Sequence, residues 1–474
     1  MQFLRILNMI ITSSHYRFFS IVFKKIKNYK LVFNKKLFIL LLIIVFIRII
    51  IVFYAHNLEG DDGARYLTEA INLKKFGIFS TQNVLNPQPT AHDMPLFPGL
   101  IFLLLVLFKS QYIVLKIVSV LNCLFFGLSS FALYKISFLL SNKEKVAFLS
   151  VLFYGLFPDS FPYSVFYMPE SLFSAFMLFS IYYYVHWLYF FKNKSLIISF
   201  ALLGFSILVK PISITFFPIY IFIGILYLLA QKTLLKKTPL LMIAVFSFIM
   251  VIFPWIYRNY KVFGTAEISS ITGTNLFNCN YRYMLEDQNV INVDSVLNIK
   301  KSIAFNKIDT NHLNCMTESV ILRNVAKSEI KNNLYDYTHT VLSRHPRLYA
   351  GTGTIALFSI FRDTSAIQYL KQFNTNITSL KNANFFPHFI QLVSWCLLGL
   401  LYILFIYGLF ILLFEKKYFV LLFIFFSLFY LAIIIGPVVA TRYRFVMLPF
   451  FSLAASFGMY HFRNLLFRHL LNYK

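Results

Sequence analysis

The chain has 474 residues, with 44 Lys and Arg against 18 Asp and Glu, a formal net charge of +26, 59% hydrophobic residues and a mean hydropathy of +0.70. That composition excludes an ordinary water-soluble domain. Continuous apolar runs that can cross about 30 Å of hydrocarbon also exclude a β-barrel, whose strands alternate, so the expected fold is an all-α polytopic membrane protein.

In chain order, residues 1–36 read as a basic cytoplasmic arm. Its first 23 residues have no small-residue cleavage site and carry Arg5, His15 and Arg17 among apolar residues, the pattern of an interfacial helix. The first span is 37–54, and a polar external loop, 55–93, follows it. Residues 95–108 are apolar but too short for a full crossing, so they are expected to lie on or dip into the outer leaflet. Spans are then expected at 113–140, 146–163, 169–191, 196–209, 212–230 and 240–257. A long polar segment, 261–386, is expected to form a small extracytoplasmic domain. Spans at 387–414, 418–435 and 445–460 and a basic tail, 461–474, complete about ten crossings with both ends inside.

The basic clusters support this order. Lysines crowd 24–36, then come Lys143 and Lys145, Lys192 and Lys194, residues 232–237, Lys416 and Lys417, and the tail. They fall after every second span, as expected of cytoplasmic loops. Charge placed in this way accounts for the basic balance without a nucleic-acid partner. Cys123 and Cys396 lie in spans, whereas Cys279 and Cys315 both fall in the segment expected outside, where a disulfide or two free thiols remain open.

Several charges do not fit simple topology. Asp61 and Asp62 adjoin just after the first span, in a loop that also holds Tyr66, His92 and Asp93. They read either as caps of a following helix or as acid–base groups. Asp159 falls at the next external turn, and Glu170, just after Pro169, admits the same two readings as the aspartates. Lys210, Arg258, Arg442 and Arg444 all lie on the expected outer side, where basic residues are disfavoured. Singly each can snorkel to headgroups, and as a set they suggest a site for an anionic group. Carboxylates beside cations at a membrane surface suit group transfer from a lipid phosphate. One carboxylate takes a proton from an acceptor hydroxyl, and the cations stabilise the leaving phosphate.

These residues also resemble a known pattern. Asp62-Gly63-Ala64-Arg65-Tyr66, with Ala70, Leu73 and Phe76-Gly77-Ile78-Phe79-Ser80, resembles the first external loop of the GT-C membrane glycosyltransferases. His92-Asp93-Met94-Pro95-Leu96-Phe97-Pro98, the stretch from Phe157-Pro158 to Glu170-Ser171-Leu172-Phe173, and Leu208-Val209-Lys210-Pro211 resemble later steps of the same pattern. So do Pro254-Trp255 with Arg258-Asn259-Tyr260, the following Phe263-Gly264 and Gly273-Thr274-Asn275-Leu276, and Thr441-Arg442-Tyr443-Arg444. Closest in kind are the protein O-mannosyltransferases and the lipid A aminoarabinose transferases. The chain departs from the pattern at Gly63, where a second acid is usual, at Lys210, where Arg is usual, and at Asp93, in a stretch that more often carries Arg.

The resemblance implies an inverting transferase with a polyprenyl-phosphate sugar donor and a lipid, glycan or protein acceptor. It implies Asp62 as catalytic base with Asp61 as neighbour or substitute. Tyr66, His92, Glu170, Lys210, Arg258, Arg442 and Arg444 form the expected substrate-binding set. Some members use a divalent cation at such carboxylates and others do not, which leaves Asp61 and Asp62 open as metal ligands. The expected location is the bacterial plasma membrane, with the site facing the periplasm or exterior. The rival from another class is a transporter or flippase of lipid-linked glycans. It predicts charges in mid-span and repeated halves, and no internal repeat is evident.

Overall fold

The computed structural model describes residues 35–306, 313–375 and 385–472. The expected interfacial helix in residues 1–23 lies outside them. Among the described residues every regular element is helical. Apolar runs become α1 (Lys35–Tyr54), α4 (Gln111–Ser141), α7 (Glu170–Phe190), α9 (Phe216–Ala230), α10 (Leu234–Phe263), α18 (Phe385–Phe414), α19 (Tyr418–Ile435) and α20 (Thr441–Asn472). With the short 3-10 turn Pro211–Thr215 counted into α9, these eight are long and apolar enough to cross a membrane. The other two expected crossings are α8 (Asn193–Val209) and the interrupted pair α5 (Glu144–Leu156) and α6 (Ser160–Val165). The chain is therefore an all-helical polytopic membrane protein.

Burial separates the inner helices from the outer ones. The apolar windows of α7 and α20 are 78% and 72% buried, whereas α1, α10, α18 and α19 are each 28% buried and turn residues such as Phe46, Phe246, Ile403 and Phe425 outward. α4 packs on α1, α5 and α7, and α7 on α8, which leads to α10; α20 joins α5 to α18. At the last contact two glycines permit backbone approach. A Cβ on Gly408 would lie 1.9 Å from the Ala454 carbonyl oxygen, and one on Gly458 would lie 2.3 Å from that of Leu404. Small residues at crossing points let membrane helices gain close van der Waals contact where no hydrophobic force separates helix from lipid.

Two departures from the sequence reading place side chains that matter. The span expected at 146–163 breaks at Phe157, which is extended before Pro158, and restarts at Ser160. A residue before proline avoids the helical region, so the interruption has a local cause, and it turns Asp159 inward. The last helix begins at Thr441 and not at 445, which puts Arg442 and Arg444 in its first turn. α3 (Leu96–Leu107) has 12 residues, about 18 Å of rise, short of a crossing as expected.

The loop 55–93 contains α2 (Gly63–Phe76), which ends at the left-handed Gly77 (φ +68°) and packs against α3. The polar segment after α10 is helical: α11 (Ile271–Asn275), a π turn, α12 (Arg282–Asp287), α13 (Val293–Phe305), α14 (Cys315–Asn332), α15 (Leu334–Ala350), α16 (Thr354–Ile360) and α17 (Thr364–Thr375). Phe277, Tyr281, Met284, Leu285, Leu297, Leu322 and Ala326 give it a small core of its own. Cys279 and Cys315 are both free thiols.

Candidate active site

Three helix N-termini and one helix-breaking step converge on a cluster of charges. Asp62 occupies the N-cap position of α2, yet its side chain makes no capping bond. Its Oδ1 accepts from Arg65 Nη1 at 2.9 Å and its Oδ2 accepts from Arg442 Nη1. Glu170 opens α7 and is fully buried. Its Oε1 accepts from Lys210 Nζ at 2.6 Å and from Arg442 Nε at 2.5 Å. Capping therefore does not account for either carboxylate. Lys210 stands between α8 and the Pro211 turn, where proline denies the chain a continued helix.

Arg442 and Arg444 begin a helix, the end at which the dipole disfavours cations. Each is offset by acids from distant elements. Arg442 bridges Asp62 and Glu170, 380 and 272 residues away. Arg444, fully buried, pairs with Asp159 through Nε at 2.8 Å and donates to the carbonyls of Leu348 and Tyr349 at 3.2 and 2.9 Å. Arg444 thus ties the start of α20 to the break before α6 and to the end of α15. A bond of 2.7 Å between the Tyr163 and Thr441 hydroxyls reinforces that junction. Arg444 fixes where Arg442 stands and does not itself join the cluster.

The other expected residues are distributed as follows. Tyr66 is buried beside the cluster with its ring edge-on to Phe97. Burial and then the Asp93 charge push its phenol above the ordinary range. His92 is partly exposed and its Nδ1 lies 3.6 Å from Asp93 Oδ1. Arg258 does not reach Asp62 or Glu170. It donates to the Thr90 carbonyl and to Asn259 Oδ1, each at 3.0 Å, with its guanidinium 4.9 Å from the Trp255 ring centre and 5.0 Å from that of Phe263. Asp61 is exposed and forms no ion pair among the described residues.

Sequence reasoning missed the role of Arg65. It binds Asp62 on one side and grips both oxygens of Asp93 on the other, through Nε and, at 3.0 Å, through Nη2. Its spacing of three residues from Asp62 on a helix was the available signal. The segment carrying Asp93 is itself strapped down. Arg258 holds the Thr90 carbonyl, the Ser270 amide holds that of Ala91 at 2.9 Å, and the Ser269 hydroxyl holds that of His92 at 2.7 Å. Arg48, in the middle of α1, was also missed. It is buried on Ser160, Ser164 and the carbonyls of Ile44 and Gly155, and it anchors the same helix break.

The cluster has three acids, Asp62, Asp93 and Glu170, against Arg65, Lys210 and Arg442. Burial works against a charged Asp62, but the guanidinium groups of Arg442 and Arg65, and Lys210 beyond them, outweigh it and hold the carboxyl below its usual range. Asp62 is therefore ionised at neutral pH. Both its oxygens already face guanidinium groups, and among the described residues no group of three or more His, Cys, Asp or Glu is placed to hold a metal ion. The donor set does not fit a divalent cation.

Close along the chain to the cations lies a small apolar pocket. Its walls are Phe173 and Met177 of α7, Ile212 and Phe216 after Lys210, Leu431 of α19 and Phe450 of α20. Glu170, Lys210 and Arg442 stand shortly before the wall residues Phe173, Ile212 and Val446, so the charged cluster and the pocket are built from the same chain segments.

Residues 89–257 match the family model of dolichyl-phosphate-mannose-protein mannosyltransferases. That stretch contains Asp93, Glu170 and Lys210 and stops short of Arg258. No match to a curated protein was found. Among solved structures, the crystal structure of ArnT from Cupriavidus metallidurans bound to undecaprenyl phosphate is similar, with 12% identity and a TM-score of 0.41 over 90% of this chain and 78% of that one. The similarity to that family of mannosyltransferases extends over residues 89–257 of the 474.

Proposed function

We propose that the protein transfers a sugar, with inversion, from a polyprenyl-phosphate-linked donor to a lipid, glycan or protein acceptor on the outer face of a bacterial plasma membrane. What supports this reading is the pairing of two cations, Lys210 and Arg442, on Glu170 beside an apolar pocket built from the segments that follow them. An amphipathic molecule with an isoprenoid tail and a phosphate head has the matching polarity. Lys210 uses one of its three N–H bonds on Glu170, and Arg442 uses two of its five on the carboxylates, which leaves donors for phosphate oxygens.

In the reaction the acceptor O–H gives its proton to Asp62 while its oxygen forms a bond to the anomeric carbon. The bond from that carbon to the phosphate oxygen breaks on the opposite side and its electron pair leaves with the phosphate. Lys210 and Arg442 neutralise that charge as it develops. A carboxylate held by two arginines is a weak base. When Arg442 shares its charge with the donor phosphate, Asp62 gains proton affinity while the acceptor is in place. Glu170 fixes the two cations, and Arg258 and Arg444 serve as scaffold. The basic clusters support an outward-facing site, and residues 261–386 are proposed as an extracytoplasmic cover that shapes acceptor choice.

A transporter would set charges in mid-span against a cavity. Arg48 is a mid-span charge, but it is buried on neutral partners. The test is incubation of the purified protein with labelled polyprenyl-phosphate sugar and candidate acceptors. Label moving from lipid to acceptor supports the reading. Movement of intact donor across vesicle membranes, with the sugar–phosphate bond preserved, overturns it.

A further inference from the structure

Glu69 belongs to none of the roles above. It lies on α2 one helical turn beyond Arg65 and two beyond Asp62, fully buried, and neither carboxyl oxygen meets a hydrogen-bond donor among the described residues. The carboxyl of Asp93 is the charged group that acts on it most strongly, and a protonated Glu69 would have it as hydrogen-bond acceptor. Asp93 is itself 4% exposed, with both oxygens on Arg65 and His92 nearby. Two buried carboxylates in contact cannot both ionise at moderate cost, and the one without cationic donors keeps the proton.

We propose that Glu69 is a positioning residue for the candidate active site: a neutral acid that donates its proton to Asp93 and thereby keeps Arg65 aimed at Asp62. This rests on the reading of Asp62 given above. The chain of contacts is Glu69 to Asp93, Asp93 to Arg65, and Arg65 to Asp62 Oδ1 at 2.9 Å. A neutral Glu69 leaves the Asp93 charge to Arg65 alone. An ionised Glu69 adds a second negative charge that competes for the same guanidinium and draws it away from Asp62.

The groups facing Glu69 fix the sign of its pH response. Burial, then the Asp93 charge, pushes its carboxyl well above the usual range, with Arg65 and Arg258 opposing. Burial opposes ionisation of Asp93 as well, but His92 and Arg65 hold that carboxyl low. The arrangement is therefore intact at neutral pH and fails as pH rises through the Glu69 ionisation, which gives transfer an alkaline limb.

The experiment compares Glu69→Gln and Glu69→Ala with the parent in sugar transfer from labelled polyprenyl phosphate, as kcat/KM against pH. Gln keeps the shape and a donor for Asp93 but cannot ionise. Transfer by Glu69→Gln at pH 7 stays within about threefold of the parent and its alkaline limb disappears, whereas Glu69→Ala falls on the order of 10- to 100-fold through misplaced Arg65. A second readout needs no turnover: the infrared band of a protonated carboxyl, lost between neutral and alkaline pH in the parent, is missing in Glu69→Gln. An unchanged alkaline limb or an unchanged infrared band in Glu69→Gln overturns the proposal. Absence of transfer by the parent overturns instead the reading of the site, and the infrared comparison still decides the protonation of Glu69.

Discussion

Replacing Arg442 by Gln tests the link between phosphate and base. The variant removes one cation from both site carboxylates, yet Asp62 keeps Arg65 at 2.9 Å and Glu170 keeps Lys210 at 2.6 Å. The fold should therefore persist, and a melting curve in detergent checks this. A charge-assisted hydrogen bond to the leaving phosphate is worth about 1.5–3 kcal/mol, which converts to a fall of roughly 10- to 100-fold in kcat/KM for the donor. The pH profile changes as well. Arg442 is the foremost of the groups holding the Asp62 carboxyl low, so without it that carboxyl rises toward its ordinary range. The base must be ionised, and the acid limb of kcat/KM moves to higher pH. Initial rates of labelled sugar transfer, measured against donor concentration from acid to alkaline pH, give both quantities. An Arg442→Gln protein with normal melting, unchanged donor kcat/KM and an unmoved acid limb refutes the assignment.

The remaining predictions concern stability and topology. Arg444→Leu strands Asp159, since both are 1% exposed, and a buried charge left alone costs about 3–5 kcal/mol. The melting temperature of the purified protein falls by several degrees, and Arg444→Leu combined with Asp159→Leu recovers part of the loss; a melt equal to the parent's contradicts the clamp. A reporter fused after Thr81 gives an exterior signal if the lysine clusters have been read correctly, and a cytoplasmic signal inverts the proposed topology.

Much of the fold was legible because it follows from solvent. Apolar runs of about 20 residues must become helices where lipid offers no hydrogen bonds, so the spans appeared close to their expected bounds. The step at Lys210-Pro211 was visible at a span end, whereas the break at Phe157-Pro158 falls inside the span expected at 146–163. The start of α20 was misplaced by four residues. Thr441-Arg442-Tyr443-Arg444 reads as a polar step, and it is helical because Asp62, Glu170 and Asp159 neutralise cations at a helix N-terminus from far along the chain.

The site divides in the same way. Asp62, Glu170, Lys210 and Arg442 could be singled out as charges that neither lipid nor topology explained. Their convergence depends on contacts between elements hundreds of residues apart. Arg258 and Arg444 had the same outward signature, yet they hold backbone carbonyls and a buried aspartate. A positive residue at a span end does not reveal whether it faces a ligand or a neighbouring loop. Arg65 and Glu69 carried a helical spacing from Asp62 that could have been used, but their partner Asp93 lies across an irregular loop and gives no periodic signal.

The most direct test of the central claim is sugar transfer by Asp62→Asn beside Asp61→Asn, with the parent as reference. Loss of a general base costs roughly 10²- to 10⁴-fold, so Asp62→Asn should lose transfer by that order while still binding the polyprenyl-phosphate donor, and Asp61→Asn, exposed and outside the ion pairs, should stay near the parent rate. Transfer by Asp62→Asn at the parent rate, or loss confined to Asp61→Asn, contradicts the account.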